Sequence, residues 1–132
     1  LLTPQQAEAV DISALERFLA SPLAEEIRRG ENVLREYRFT LLMDAREYDA
    51  DACGGDEILL QGVVDCCFET PEGITVVDFK TDRVRTDEEV ARRAEHYRPQ
   101  LLAYAKALEQ VLQRPVTRRV LCFLSAGKTA EV

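Results

Sequence analysis

The sequence predicts an α/β domain in which a small mixed β-sheet is flanked by helices. The prediction rests on helical periodicity near the N-terminus, on three apolar runs of strand length in the middle of the chain, and on a helix followed by a last apolar run. A length of 132 residues and a hydrophobic content of 46% suit one domain with a buried core. We expect a single domain over residues 1–132, with N-terminal helices in 3–30 and the sheet-bearing core in about 33–132.

Helix signals dominate the N-terminal segment. Thr3-Pro4 and Ser21-Pro22 each offer an N-cap followed by proline in the first turn, and Gly30 is a natural stop for the second of these helices. Between them, four apolar residues recur at helical spacing and fall on one face: Ile12, Leu15, Phe18 and Leu19.

The middle of the chain predicts strands. Residues 33–43 carry β-branched and aromatic residues with partial alternation, which favours a strand, and 44–56 is a polar loop or hairpin tip. The apolar runs 57–69 and 74–80 enclose Thr-Pro-Glu-Gly at 70–73, which is typical of a turn. We therefore expect a β-hairpin over these last three segments.

A helix and a strand complete the predicted order. Thr86 and Glu89 form a capping box that opens a helix, and we expect Arg98-Pro99 to interrupt it before a second helix begins. Residues 116–124 read as the last strand. The second helix carries its apolar stripe on four residues: Leu101, Ala105, Leu108 and Leu112.

The net charge argues against a surface that attracts nucleic acid by itself. The chain carries 24 acidic and 17 basic residues, a formal charge of -7, and a negative surface repels a polyanion. A group of arginines follows the third strand and is interleaved with acids. We expect a solvated face for most of this group, with tracking of a nucleic-acid backbone as the alternative: Arg83, Arg85, Arg92, Arg93 and Arg98.

The four cysteines and the single histidine do not form a recognisable metal site. No C-x-x-C pair occurs, and His96 has no Cys or His at a zinc-finger spacing. Cys66 and Cys67 lie in an apolar run, which is typical of reduced core thiols. With no signal peptide and no apolar run of 18 residues, we expect a cytoplasmic protein without membrane contacts.

Two carboxylates are expected to face each other on the hairpin. If residues 70–73 form the turn, Glu69 pairs with Ile74, and Asp65 pairs with Asp78. Like charges at opposed positions destabilise an antiparallel pair by up to about 1 kcal/mol, and burial adds to the cost. A cation between them would remove the conflict, whereas a register slip of one residue would separate the two acids.

Lys80 lies two residues after Asp78 and hence on the same face of the strand. A divalent ion held by Asp65 and Asp78 beside this ammonium would suit metal-assisted hydrolysis of a phosphodiester, because Mg²⁺ binds one or two carboxylates plus phosphate oxygens. The lysine would stabilise the developing negative charge or orient the attacking water. Three residues share a face of the following helix and could order the lysine or hold a phosphate or base: Tyr97, Gln100 and Tyr104.

Three motifs in a fixed order resemble a known family. They are Gly62-Val63-Val64-Asp65, Val77-Asp78-Phe79-Lys80-Thr81-Asp82, and Tyr97-x-x-Gln100-x-x-x-Tyr104. Together they resemble the RecB-type nuclease branch of the PD-(D/E)XK superfamily, from about Glu36 to the C-terminus. The resemblance implies a restriction-endonuclease-like fold, and it is strongest to the C-terminal nuclease domains of bacterial helicase–nuclease subunits.

The resemblance implies roles for the matched residues. The carboxylates of Asp65 and Asp78 and the backbone carbonyl of Phe79 would bind Mg²⁺, which Mn²⁺ could replace. Three further side chains would complete the catalytic centre: Lys80, Gln100 and Tyr104. Glu36 matches an acidic position whose role stays open, since a strand acid can also pair with a base. The family has an upstream helix with a histidine ligand, which no residue here matches, so we expect that the isolated chain can be inactive.

The implied function is a metal-dependent deoxyribonuclease domain, an exonuclease acting on a single DNA strand fed by a helicase motor. The chain begins at Leu1 without an initiator Met, and we expect a longer protein with an ATP-binding helicase region upstream. The resemblance also implies a partner subunit of the AddB/RexB type. Two alternatives stay open: a non-catalytic module of this fold that guides DNA or binds another protein, and a small metal-binding regulatory domain.

Overall fold

A computed structural model describes all residues from Leu1 to Val132. Ten elements follow one another along the chain: α1 (Pro4–Glu8), α2 (Ile12–Leu19), α3 (Pro22–Arg29), β1 (Glu31–Asp44), α4 (Ala45–Tyr48), β2 (Glu57–Thr70), β3 (Gly73–Lys80), α5 (Asp87–Leu112), β4 (Val116–Phe123) and β5 (Lys128–Glu131).

The five strands form one mixed sheet in the order β1-β2-β3-β4-β5. β1 pairs with β2, β2 with β3, and β4 with β5, all antiparallel, whereas β3 and β4 are parallel. A parallel pair needs a crossover connection, and α5 provides it. The predicted small mixed sheet with flanking helices is confirmed.

Helices cover both faces of the sheet. Leu101 and Leu108 of α5 are fully buried against one face. Leu23 and Ile27 of α3, joined by Phe18 of α2, pack against the other. The sheet is therefore the middle layer of three, and β3 lies at its centre.

Local signals positioned most element boundaries correctly. Thr3 and Thr86 each form a capping box, and Gly30 ends α3. Residues 71 and 72 form the predicted turn, and Gly73 follows with φ 148°, a backbone conformation that favours glycine. No helix of the structure combines the length and apolar character needed to cross a lipid bilayer.

The predicted interruption at Arg98-Pro99 is wrong, because α5 continues through Pro99 as one helix of 26 residues. An internal proline costs about 3 kcal/mol. Leu101 and Leu108 lie beyond it and are both fully buried, and each is worth about 1.5–3 kcal/mol relative to an exposed leucine. Packing on the sheet thus offsets the cost of the proline.

Three other expectations need correction. The polar segment after β1 contains the one-turn helix α4, which Asp44 caps through its side chain. The strand predicted over 116–124 is present as β4, but it is not the last strand, because the short strand β5 follows it. The apolar face predicted for α2 is largely exposed, since only Ala14 of that helix is buried.

Candidate active site

The β2–β3 hairpin brings Asp65 and Asp78 together. Its register runs from Glu69 opposite Ile74 to Cys66 opposite Val77, as the turn predicted. The next step of this ladder would pair the two acids, but the pairing ends at Cys66. Asp65 instead accepts a hydrogen bond from the backbone N–H of Phe79 through Oδ2, at 2.8 Å. The aspartate side chain thereby ties β2 to β3 beyond the end of their ladder.

A break in side-chain alternation accompanies this change at Asp65. Val64 and Cys67 belong to the same core cluster although they are three residues apart, whereas strict alternation places residues two or four apart on one face. The neighbouring strand is distorted at the same level, because Glu36 of β1 has a left-handed φ of 50°. Such a backbone costs a non-glycine residue about 1–2 kcal/mol. Periodicity within one strand gave no signal of this distortion.

Asp78 is the buried acid of the site, with 7% of its surface exposed. Its Oδ2 atom lies 2.8 Å from Lys80 Nζ, an ion pair whose angles do not make a hydrogen bond. Burial raises the pKa of Asp78 and the Asp65 carboxylate raises it further, while the Lys80 ammonium acts in the opposite direction. The charged form of Asp78 is therefore under-solvated, and a second cation would stabilise it.

Lys80 is held from three sides at the carboxyl end of β3. Besides Asp78, its Nζ atom donates to Gln100 Oε1 at 3.4 Å and lies 3.9 Å from the centroid of the Tyr97 ring. Only 17% of the lysine side chain is exposed. The ammonium is therefore fixed beside the carboxylates by an ion pair, an amide and an aromatic face.

Gln100 connects the lysine to Tyr104. The Gln100 amide donates to the Tyr104 hydroxyl at 3.3 Å, and the Tyr104 ring packs edge-on against Phe39 with centroids 5.4 Å apart. Gly62 of β2 makes room for both rings, since a Cβ there would lie 2.6 Å from Phe39 and 2.9 Å from Tyr104. The structure thus brings Gln100 and Tyr104 to the same site as Lys80, as their helical spacing predicted.

A second layer of contacts escaped the sequence-based reasoning. The Tyr97 hydroxyl donates to Asp82, 2.9 and 3.1 Å from its two carboxylate oxygens, and Arg93 Nε lies 3.4 Å from the same carboxylate. Burial, together with the hydrogen bond to Asp82, raises the pKa of Tyr97. Asp82 comes two residues after Lys80 and Tyr97 three before Gln100, so their closeness to the motifs was the available signal.

The donor set fits a divalent cation. Asp78 Oδ2 is buried and has no hydrogen-bond donor, and a second carboxylate, Asp65, lies beside it. No group of three His, Cys, Asp or Glu side chains surrounds a common point in the structure. Mg²⁺ commonly keeps several waters and takes only one or two protein carboxylates, so two acids suit such an ion.

The remaining sequence candidates make none of these contacts. Glu36 lies on β1 at the level of Asp65 and is exposed, as is His96. Three of the four cysteines are buried core residues, and burial raises the pKa of Cys67 and of Cys122 to about 11, which keeps both thiols neutral. Cys53 is exposed.

The comparisons with known proteins point to the same chemistry. The sequence profile of the PD-(D/E)XK nuclease superfamily matches residues 3–132. Proteins that bear the name of the A subunit of an ATP-dependent helicase/nuclease are similar over nearly the whole chain: one from Acetivibrio thermocellus is 40% identical over 97% of it, and one from Bacillus cereus is 39% identical over all of it.

The chain matches only part of these relatives. It spans 10% of the length of the Acetivibrio protein and 11% of the Bacillus protein. Nucleases of the matched superfamily use divalent metal ions, in agreement with the two carboxylates on β2 and β3. From the match over residues 3–132, the chain belongs to the PD-(D/E)XK nuclease superfamily.

Proposed function

We propose that this domain hydrolyses phosphodiester bonds of DNA with the help of Mg²⁺, which Mn²⁺ can replace. The observation that carries the proposal is the buried Asp78 oxygen without a hydrogen-bond donor, beside Asp65 and 2.8 Å from Lys80. A structural carboxylate at such a depth would be expected to have its hydrogen bonds satisfied. An unsatisfied carboxylate facing another acid is typical of a site that binds a cation.

Asp65, Asp78 and the Phe79 carbonyl would hold the metal. When bound, the ion supplies Lewis-acid polarisation of the phosphate and lowers the pKa of the attacking water. Asp65 already accepts from the Phe79 amide at 2.8 Å, so one of its oxygens is oriented before any ion arrives. Phe18 of α2 packs edge-on against the Phe79 ring at 5.1 Å and supports the strand at this point.

Lys80 has the role of stabilising negative charge in the transition state or of orienting the water. Its contacts to Gln100 Oε1 and to the Tyr97 ring do not neutralise the ammonium, because neither partner is anionic, and Asp78 is its anionic contact. With a metal ion held by Asp65 and Asp78, the ammonium would be available to face the phosphate. Gln100 and Tyr97 would then keep the lysine in position.

At the level of the whole protein, we propose an AddA-type (RexA-type) helicase/nuclease that works as an exonuclease in DNA repair and in the cytoplasm. The names of the relatives support a motor and a nuclease in one polypeptide, and their description as one subunit supports a partner of the AddB/RexB type. A motor that feeds a single strand would offset the net charge of -7, because a tethered substrate needs no long-range attraction.

The metal site can be tested by calorimetric titration of this chain with Mn²⁺. Wild type should bind, and Asp78→Ala should not. Asp87→Asn is a matched control, because it also removes a negative charge but at a side chain that is 92% exposed and far outside the site. Binding that survives in Asp78→Ala would refute the assignment of this carboxylate.

The second candidate is a non-catalytic module of the same fold that guides DNA. It is favoured by one observation, that no third metal-binding side chain joins the two acids. A cleavage assay on the natural full-length protein separates the two functions. Loss of cleavage in Asp78→Ala supports the nuclease, whereas metal binding without any cleavage by wild type supports the guiding module.

A further inference from the structure

A concave site with basic walls lies beside the candidate active centre. The cavity has a volume of about 400 Å³ and is formed by the segment after β3 and the first three turns of α5. Three arginines and the single histidine of the chain line it, together with one valine and one glutamate: Arg83, Arg92, Arg93, His96, Val84 and Glu89.

Two of the three arginines of this cavity have no ion-pair partner. Neither Arg83 nor Arg92 forms an ion pair or donates a side-chain hydrogen bond. Glu89, the only acid in the lining, has its carboxylate turned to backbone N–H groups at the cap of α5, and these bonds lower the pKa of Glu89. Arg98 on the same helix is different, since it pairs with Glu95 at 3.1 Å.

The cavity is connected to the active centre by direct contacts. Arg93 lines the cavity and lies 3.4 Å from Asp82, which accepts a hydrogen bond from the hydroxyl of Tyr97. The ring of Tyr97 in turn carries the Lys80 ammonium at 3.9 Å. A ligand bound in the cavity would thus be connected to Lys80 through the side chains of Arg93, Asp82 and Tyr97.

We propose that this cavity binds a phosphodiester group of the DNA strand, next to the one to be cleaved. The proposal rests on the proposed function, because it takes DNA as the substrate. Guanidinium groups bind phosphate oxygens in a forked geometry, and two unpaired arginines around a concave space are an anion site. Because the rest of the surface is acidic and repels DNA, the strand would be attracted to the protein mainly at this cavity.

The lining also indicates which part of the strand is recognised. No Phe, Tyr or Trp lines the cavity, and Val84 is its only apolar residue, so His96 is the only aromatic ring there on which a base could stack. Contacts from guanidinium groups to phosphate carry no sequence information, so we expect the cavity to contact mainly the backbone of the strand. Arg83, Arg92 and Arg93 are exposed, as expected of a solvated face, and the proposal takes up the alternative that they follow a nucleic-acid backbone.

His96 makes the proposal directly measurable. It is the only histidine of the 132 residues, so its Hε1 proton gives the only signal of that type in a proton NMR spectrum. We would titrate the whole chain with tetrathymidylate in buffer free of divalent metal, where no cleavage interferes. The uncharged methylphosphonate analogue and inorganic phosphate serve as comparison ligands.

The expected result is a saturable shift of the His96 signal with tetrathymidylate and none with the uncharged analogue. Arg92→Ala should weaken this binding roughly tenfold, as for loss of a charge-assisted hydrogen bond. The slope of the logarithm of its binding constant against the logarithm of salt concentration should become less steep by about 0.7 for each phosphate interaction removed. Arg98→Ala, which removes the same charge from the same helix outside the cavity, should bind like wild type.

Three results with the oligonucleotide ligands would overturn the proposal. They are no shift with tetrathymidylate, equal binding of the uncharged analogue, or equal losses of affinity in Arg92→Ala and Arg98→Ala. Inorganic phosphate binding as tightly as the oligonucleotide would likewise assign the cavity to free phosphate and not to DNA. Because no metal is present, this titration can fail while Mn²⁺ binding at Asp78 succeeds, or the reverse, so the two proposals are tested separately.

Discussion

Replacing Asp78 by asparagine should separate its metal-binding role from any role in holding the fold. Asp78 is 7% exposed, and burial of a charged carboxylate opposes folding. Repulsion from Asp65 adds up to about 1 kcal/mol. Against these stands the ion pair with Lys80 at 2.8 Å, whose loss leaves the ammonium with Gln100 and the Tyr97 ring. Metal-free Asp78→Asn should therefore be as stable as wild type, or up to about 1 kcal/mol more stable.

The two proteins should differ when metal is added. At a free Mn²⁺ concentration of about 100 times its dissociation constant, binding stabilises the folded state by about 2.7 kcal/mol. For a domain of this size that raises Tm by about 10 °C. Wild type should show this shift in a thermal melt, and Asp78→Asn should show little of it, because the amide lacks the negative charge by which the carboxylate attracts the cation.

The pH dependence of metal-free stability gives an independent check. Since burial raises the pKa of Asp78, the folded protein binds this proton more tightly than the unfolded chain, whose carboxyl titrates near about 3.9. The resulting stabilisation is present below about pH 4 and is lost as the pH rises through the raised pKa. The stability of wild type relative to Asp78→Asn should therefore decrease as the pH rises above about 4.

Two outcomes would refute this reasoning. An equal Mn²⁺-induced shift in both proteins would show that Asp78 is not a ligand. A loss of more than about 3 kcal/mol in metal-free Asp78→Asn would instead mark a structural carboxylate, because it exceeds what the contacts around Oδ2 explain.

Three further predictions follow from other parts of the site and core. In the natural full-length protein, Lys80→Ala should lower the cleavage rate by at least about 100-fold while calorimetric Mn²⁺ affinity stays close to wild type; full activity would remove Lys80 from the mechanism. Gly62→Ala should lower the free energy of unfolding, measured in urea, by about 1–3 kcal/mol, because the added Cβ would lie within 3 Å of Phe39 and Tyr104. Gly54→Ala is the control and should change this free energy little, because its Cβ would meet only the flexible end of the Arg46 side chain. A thiol reagent at neutral pH should label Cys53 alone in the folded chain. Rapid labelling of a second cysteine would contradict the burial of the other three. Burial also raises the pKa of Cys67 and Cys122 to about 11, so the stability that these neutral thiols contribute should be lost as the pH rises from about 9 through 11.

Much of the candidate site was accessible from local pattern. The turn over 70–73 sets the register of the hairpin, and the register places Asp65 next to Asp78. Alternation adds Lys80, and a spacing of four residues puts Gln100 beside Tyr104. Each of these relations depends on turn geometry or on the repeat of one strand or helix, and those are properties of nearby residues.

Other features were beyond the reach of local pattern. The predicted break at Pro99 is wrong because burial of Leu101 and Leu108 on the sheet outweighs a missing hydrogen bond. The left-handed φ of Glu36 depends on how β1 and β2 distort together, and no residue type in β1 indicates this distortion.

By itself, the sequence determined the order and type of the main elements, the hairpin register and the closeness of the two acids, because these follow from interactions along the chain or across one turn. Only the tertiary structure decided the surroundings of that pair. α5 returns over the sheet and sets Tyr97 under Lys80 and against Asp82, and the same crossover turns scattered arginines into one cavity with Arg83 and Arg92 on its wall. These contacts join residues from separate elements, and their positions are set by burial of the apolar face of α5 against the whole sheet.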